Sequence, residues 1–418
     1  MKVKKPNALI YFLIYIFIYP LLKILFRLET DRRDYDPPIG PFLVVSNHST
    51  FMDFLVVMLS IYPRRLNAVT AQKFFLYKPL HWLLPVVGCI PKKLFEPDMR
   101  SIHGIKTVLK RGDRILIFPE GRCSTDGAYA GIHRSTGKLI KNLGVPVIGC
   151  HIDGAYTCMP YWRKGFRTGR ARVKIAGLFS QEDIEKLSVD EINDALDVRL
   201  SGSDMPPPRR SIRTFRARRL IEGLQGIIYW CPKCMEEFTL ETKGNTIRCT
   251  SCGNEAVMDR TARLTPSPGS TVPENVQRWF SEQTRFEMRR LREDMEPIVE
   301  QVTVRIPASE PGKGVIPGGA GTLKLTPKGW YYTGEMSGES VDLFFPIESV
   351  PAVPFDPNNN FQIYAKGSFY MFTPRDARMS MKYALLGECM HRRFSPSIVL
   401  TPGVNDGFNS LATVHDSQ

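Results

Sequence analysis

The sequence predicts an α/β domain with a mostly parallel sheet and flanking helices, then a small four-cysteine unit, then a C-terminal antiparallel β domain. Three observations carry this. Residues 41–200 alternate short branched apolar runs with longer stretches of helical spacing, the pattern of βαβ units. Two Cys-x-x-Cys pairs occur at 231–234 and 249–252. From residue 301 the chain breaks into short strands separated by turns and closed by a helix.

The 418 residues allow two to three domains, and a hydrophobic content of 43% allows a sizeable core. A net charge of +14 suggests a negatively charged partner, for which nucleic acid and an anionic membrane surface both qualify. Nine cysteines, an odd number with four in close pairs, indicate metal use in a reducing compartment and not a disulfide framework.

Residues 1–33 read as an N-terminal membrane-associated helix. Pro6 to Leu22 carries no charge, and Lys2, Lys4 and Lys5 precede it while Lys23, Arg27, Arg32 and Arg33 follow. The stretch is slightly short for a spanning helix, and Pro20 would kink it. Positive charge on both sides fits a helix that dips into one leaflet. A buried core helix is the competing reading. The arginines after it place the following residues on the cytoplasmic face of the cell membrane.

Residues 34–41 form a turn-rich linker, and 41–200 form the α/β domain. Pro41–Val45 reads as a buried strand, and Phe54–Leu59 as a helix interior with Ser49 or Thr50 as N-cap. Leu66–Thr70 is a weak strand, Phe74–Leu84 an aromatic-rich helix or interfacial segment, and Val86–Ile90 a strand. Met99–Lys110 has helical spacing, Ile115–Phe118 is a strand, Ile132–Asn142 a helix, and Val145–Ile152 a strand.

Two motifs fall at strand ends, where ligands gather in such sheets. In Asn47-His48-Ser49-Thr50-Phe51-Met52-Asp53, a histidine on a strand-to-helix turn is followed by a carboxylate among apolar neighbours. An imidazole N–H would satisfy that carboxylate and fix the tautomer, leaving the other ring nitrogen to take a proton. An ordinary capped helix with a stray histidine is the competing reading. In Phe118-Pro119-Glu120-Gly121-Arg122-Cys123-Ser124, Gly121 permits a tight turn and Arg122 offers a planar fork suited to phosphate. Lys92 and Lys93, after strand 86–90, would supply a second cation. Cys123 is weighed as a nucleophile and set aside, because no dedicated base is implied beside it.

Asn47-His48-x4-Asp53 with Phe118-Pro119-Glu120-Gly121 resembles the glycerolipid acyltransferase family, which contains 1-acylglycerol-3-phosphate acyltransferase. Gly88-Cys89-Ile90-Pro91 and Val145-Pro146-Val147-Ile148 resemble two further blocks of that family, in the same order. The resemblance implies His48 as general base on an acceptor hydroxyl and Asp53 as the residue orienting it. It implies Glu120, Gly121 and Arg122 as holders of the glycerol phosphate. Two departures stand out. The family's usual third block places its arginine one residue later than Arg122. The arginine that usually ends the second block is replaced by Leu94, with Lys92 and Lys93 just before it.

Residues 201–228 read as a basic linker helix, with Arg209, Arg210, Arg213, Arg216, Arg218 and Arg219 interleaved with apolar residues. Residues 229–258 read as a zinc ribbon in which Cys231, Cys234, Cys249 and Cys252 close a tetrahedral, structural Zn2+ site. A redox dithiol pair is the alternative. Such ribbons often bind nucleic acid, but with the acyltransferase blocks present no nucleic acid partner is expected. Residues 272–300 form a helical connector. Residues 301–395 form a β domain resembling a pleckstrin-homology or GRAM-type barrel with a closing helix, and residues 400–418 a tail.

The expected activity is transfer of a fatty acyl group from acyl-CoA or acyl-carrier-protein to a lysophospholipid hydroxyl, with 1-acylglycerol 3-phosphate as the leading acceptor. Membrane lipids, the lysophospholipid and the acyl carrier are then the partners. Another headgroup, such as lysophosphatidylethanolamine or a glycolipid, is the alternative acceptor. A lipid-binding scaffold is the alternative class.

Overall fold

The structure, a computed structural model, describes residues 3–205, 214–310 and 312–395. A seven-stranded sheet forms its first half. The strands are β1 (Glu29–Asp34), β2 (Leu43–Ser46), β3 (Leu66–Ala71), β4 (Cys89–Lys92), β5 (Arg114–Ile117), β6 (Val147–Asp153) and β7 (Arg172–Phe179), in the spatial order β1-β7-β6-β2-β5-β3-β4. From β6 through β2, β5 and β3 to β4 every pairing is parallel. Strand β2 is buried along its whole length, as expected of a central parallel strand covered on both faces. Its register, Val44 opposite Leu116 and Ile148, brings the ends of β2, β5 and β6 to one edge.

The other edge is mixed. Strand β7 runs antiparallel to β6, and β1 pairs parallel to β7. The predicted strand 86–90 begins later: a helix runs through Leu80–Val86, and β4 starts at Cys89. Gly88 makes that turn at φ +83, and a Cβ there would lie 2.6 Å from Asn67 Nδ2, whose amide donates to the Gly88 carbonyl. The aromatic segment 74–84 is divided between a 3-10 turn, Gln72–Leu76, and the helix Leu80–Val86.

The N-terminal helix, Ala8–Leu25, is long and apolar enough to cross a membrane by length and composition. It lies against the domain on one side only. Tyr11 and Leu22 are buried, the Leu66 N–H donates to the Tyr11 hydroxyl, and Tyr15 stacks on Tyr62 at 4.0 Å. Its other side exposes Leu9, Phe12, Leu13, Ile16, Phe17, Leu21 and Ile24.

Residues 201–205 and 214–228 contain no α-helix; only a 3-10 turn forms, at Leu224–Gly226. Arg209, Arg210 and Arg213 lie outside the described residues. The apolar residues Phe215, Leu220, Ile221 and Leu224 pack as anchors in a shared core, not as one helical stripe. The backbone is pinned by long-range bonds, Phe215 N to Arg260 O and Arg216 N to Thr168 O. Those bonds replace the internal ladder of a helix.

Four short antiparallel strands follow the first Cys-x-x-Cys pair; Cys249 ends one of them, while Cys231, Cys234 and Cys252 lie off the strands, and a helix, Val276–Arg290, comes next. The C-terminal sheet has seven antiparallel strands. In spatial order they are Glu339–Pro346, Gly329–Met336, Val315–Thr326, Ile298–Pro307, Ser368–Pro374, Asn360–Ala365 and Phe355–Asp356. Among the described residues no pairing joins the two edge strands, so the expected barrel is an open sheet. The helix Met379–Phe394 packs near the Phe355–Asp356 edge. The tail 400–418 lies outside the described residues. One apolar core runs from Tyr156 and Trp162 through Cys231 and Trp279 to Trp330 and Tyr383, joining the ribbon and the C-terminal sheet to the first sheet's loops.

Candidate active site

Strand β2 ends at Ser46, and His48 follows on the turn before the helix Asp53–Ile61. Asn47 locks this turn to the neighbouring strand: its amide donates to Ile152 O at 2.8 Å and its carbonyl accepts Ile152 N at 2.7 Å. Asp53 is fully buried on the first turn of the helix. Its Oδ2 lies 3.1 Å from His48 Nδ1 and accepts the Thr50 N–H at 2.8 Å, while Oδ1 accepts the Thr50 hydroxyl at 2.9 Å. The carboxylate is thus satisfied from three sides, and Nδ1 is the protonated nitrogen it calls for. Phe118 stacks on the imidazole with centroids 4.3 Å apart.

Burial by itself lowers the pKa of His48. The sulfur of Cys123 and the carboxylate of Asp53 outweigh it and hold the imidazole well above its usual value. Cys123 Sγ lies 3.5 Å from Nε2 and 3.9 Å from Nδ1. A hydrogen bond in line with Nε2 would leave Nδ1 much farther away, so the thiol meets the ring obliquely. This contact was not legible in the sequence, where Cys123 had no implied base beside it.

Glu120 and Gly121 follow β5. Gly121 adopts φ +72 and closes a turn onto Phe118 O at 3.1 Å. The two Glu120 oxygens accept backbone N–H groups of His48, at 2.6 Å, and Ala130, at 2.9 Å. Both oxygens of Glu120, expected from the sequence to help hold phosphate, are thus engaged by backbone N–H groups, one of them on the His48 turn. Burial pushes its carboxyl up to about 7 against the pull of those two N–H groups. Arg122 reaches the same region and is ion-paired with Glu388 of the C-terminal helix.

Lys92 ends β4, which is separated from β2 by β5 and β3 in the sheet, and Lys93 follows it. Burial lowers the Lys92 pKa, with Asp98 opposing. The Lys93 backbone N–H donates to Asp98 Oδ2 at 2.9 Å. Its ammonium lies against Gly367, where a Cβ would be 3.2 Å away. A lysine that sequence reading missed, Lys73, lies within electrostatic reach of Cys123. Burial lowers its pKa, opposed by the charges of Asp356 and Cys123. Its ammonium donates to Gln362 Oε1 at 3.0 Å. A lone lysine just past the end of β3, in an aromatic run, was the signal available. Glu388 gave no local signal, standing 266 positions from its partner.

The recess beside His48 is lined by Asn47, Glu120, Ser124, Tyr129, His151 and Asp204 among others, and has a volume of about 10 Å3. That is room for roughly one water molecule.

The four cysteine sulfurs lie within 4.8 Å of one another, with Cys231 to Cys252 at 3.8 Å and Cys234 to Cys249 at 3.7 Å. A tetrahedron of metal–sulfur bonds of about 2.3 Å has edges of roughly 3.8 Å, so the set fits zinc. Thr239 Oγ1 lies 3.2 Å from Cys249 Sγ, and the Asn254 amide donates to Cys231 Sγ at 3.7 Å, an outer layer suited to thiolates.

Residues 27–153 match the family described as acyltransferase, and residues 224–264 match a zinc ribbon family described as the 7 kDa subunit of DNA-directed RNA polymerase. A chloroplastic 1-acyl-sn-glycerol-3-phosphate acyltransferase of Arabidopsis thaliana is 26% identical over 38% of this chain and 44% of its own length. The alpha form of 1-acyl-sn-glycerol-3-phosphate acyltransferase from Bos taurus is 23% identical over 36% of this chain and 53% of its own. The chain therefore spans about half, or less, of the length of these relatives. A solved 1-acyl-sn-glycerophosphate acyltransferase from Thermotoga maritima aligns with 22% identity over 44% of this chain and 77% of its own, with a TM-score of 0.35.

Proposed function

We propose that this chain, whose residues 27–153 match the acyltransferase family, is a glycerolipid acyltransferase that transfers a fatty acyl group from a thioester to the hydroxyl of a lysophospholipid. The donor is acyl-CoA or acyl-carrier-protein, and the leading acceptor is 1-acylglycerol 3-phosphate, giving phosphatidic acid. The observation that carries this is the His48–Asp53 pair at 3.1 Å on the carboxyl edge of a parallel sheet. Asp53 holds the Nδ1 proton, which leaves Nε2 as the base. The acceptor hydroxyl gives its proton to Nε2 as its oxygen attacks the thioester carbonyl. The thiolate then leaves and takes that proton from His48. No acyl-enzyme is needed, because the thioester is already activated.

Arg122 supplies the charge for the acceptor's phosphate, while Glu120 and Asn47 position the His48 turn. Lys92 and Lys93, at the end of β4, add positive charge along the same carboxyl edge of the sheet. The outward apolar face of the helix Ala8–Leu25, with the exposed Phe51 and Trp82, suits a protein lying on the cytoplasmic face of a membrane. Cys231, Cys234, Cys249 and Cys252 hold a structural Zn2+ that braces the shared core. Purified full-length chain, given an acyl thioester and a panel of lysolipids, tests the proposal. Acylation of lysophosphatidate that is lost in His48→Ala supports it, and full activity in His48→Ala refutes the mechanism.

A further inference from the structure

The helix Met379–Phe394 brings Glu388 onto Arg122. Arg122 Nη1 donates to Glu388 Oε1, and the same oxygen accepts the Val353 N–H at 3.0 Å. Both side chains are largely shielded, with 24% of Arg122 and 11% of Glu388 exposed. Glu120 and Asp126 also lie close enough to Arg122 to favour its charge. The guanidinium is therefore already matched by carboxylates. An arriving phosphate would meet a neutralised cation in a poorly solvated place, where an additional anion is costly. The pair sits beside the reaction centre, because the next residue, Cys123, contacts the His48 ring at 3.5 Å.

These features make the Glu388 carboxylate an internal competitor for the fork that an acceptor's phosphate needs. We propose that Glu388 stands in for that phosphate on Arg122 and that acceptor binding displaces it, so the C-terminal helix sets the affinity for phosphate-bearing acceptors. This rests on the acceptor reading above. Displacement frees the Val353 N–H at the same time, because one oxygen serves both donors. Phosphate binding is thereby coupled to the seating of the C-terminal helix on the catalytic sheet.

Glu388→Gln is the informative variant, since its amide oxygen still accepts from Val353 while the charge is gone. In the full-length chain, the KM for lysophosphatidate should fall about tenfold, within the usual range for coupled equilibria. The KM for the acyl thioester should stay where it was. Hydrogen exchange on the unmodified protein gives a second readout that needs no turnover. Adding a short-chain lysophosphatidate should speed exchange at Val353 and along residues 379–394. A purely structural ion pair gives the opposite pattern: Glu388→Gln melts earlier with its KM for lysophosphatidate unchanged or raised, and the ligand leaves Val353 exchange unaltered. That result overturns the proposal. If the unmodified protein acylates no acceptor, the acceptor reading fails on its own, and the exchange measurement still decides whether a phosphate-bearing ligand displaces Glu388.

Discussion

His48 works through two neighbours that pull in one direction. Asp53 and Cys123 both favour the charged imidazole, against burial, and hold its pKa above the usual value. The base is active only when neutral, so activity should climb as pH rises through a midpoint above the ordinary imidazole value. A kcat/KM profile of the unmodified enzyme checks this. Asp53→Asn removes a raising influence, so its midpoint should move to lower pH. Its kcat should drop on the order of 100-fold or more, because the tautomer is no longer enforced. An unmoved midpoint would show that Asp53 does not act on His48. Asn47 is a different kind of residue. It makes two hydrogen bonds to Ile152 from a buried position. Asn47→Ala leaves the buried Ile152 N–H and carbonyl unmet, at a cost of about 1–3 kcal/mol in a denaturation experiment.

Among the elements, those with a local cause were readable in the sequence. The branched run before Asn47 and the spacing of Ile102, Ile105, Val108 and Leu109 have one physical reading each, and the strand Leu43–Ser46 and the helix Met99–Lys110 followed. The edge pairing of β1 with β7 was not readable, because Glu29–Asp34 is a polar, charge-rich strand without alternation. Within the described residues 201–205 and 214–228, the expected basic helix is absent for a related reason. Leu220, Ile221 and Leu224 have plausible helical spacing, but tertiary contacts to several elements captured them first. His48 and Asp53 were legible because they sit five residues apart. Glu388, Lys73 and the Cys123 contact depend on distant segments that only folding brings together. Two element-scale outcomes follow. Gly387 in the C-terminal helix faces Trp330, and a Cβ there would come within 2.3 Å of its ring. Gly387→Ala should therefore lose about 1–3 kcal/mol of stability in thermal melts. Removing zinc with a chelator should loosen the ribbon and change the fluorescence of its core tryptophans. Trp230 and Trp279 share that core, with the Trp279 ring N–H on Trp230 O at 3.0 Å.

For the whole molecule, the continuous core decides how the parts depend on one another. Tyr156 and Trp162 beside the first sheet pack into the same cluster as the ribbon and the C-terminal sheet. Truncation after residue 228 would uncover that surface, and the product should aggregate instead of remaining a free-standing catalyst; size-exclusion chromatography and an activity assay check it. The outer face of the N-terminal helix contributes outside the core. Phe17 is 68% exposed and Ile24 74%. Replacing both with glutamate should weaken binding to anionic vesicles in a flotation assay while leaving the melting temperature in place. Charge adds to this, since the net +14 favours an anionic surface. The most direct measurement is acyl transfer by the purified full-length chain and by His48→Ala, using one acyl thioester and a panel of lysolipids. The expected result is phosphatidic acid from lysophosphatidate, reduced on the order of 100- to 10,000-fold in the variant. Equal rates for the two proteins, or no acylated product from any lysolipid, would contradict it.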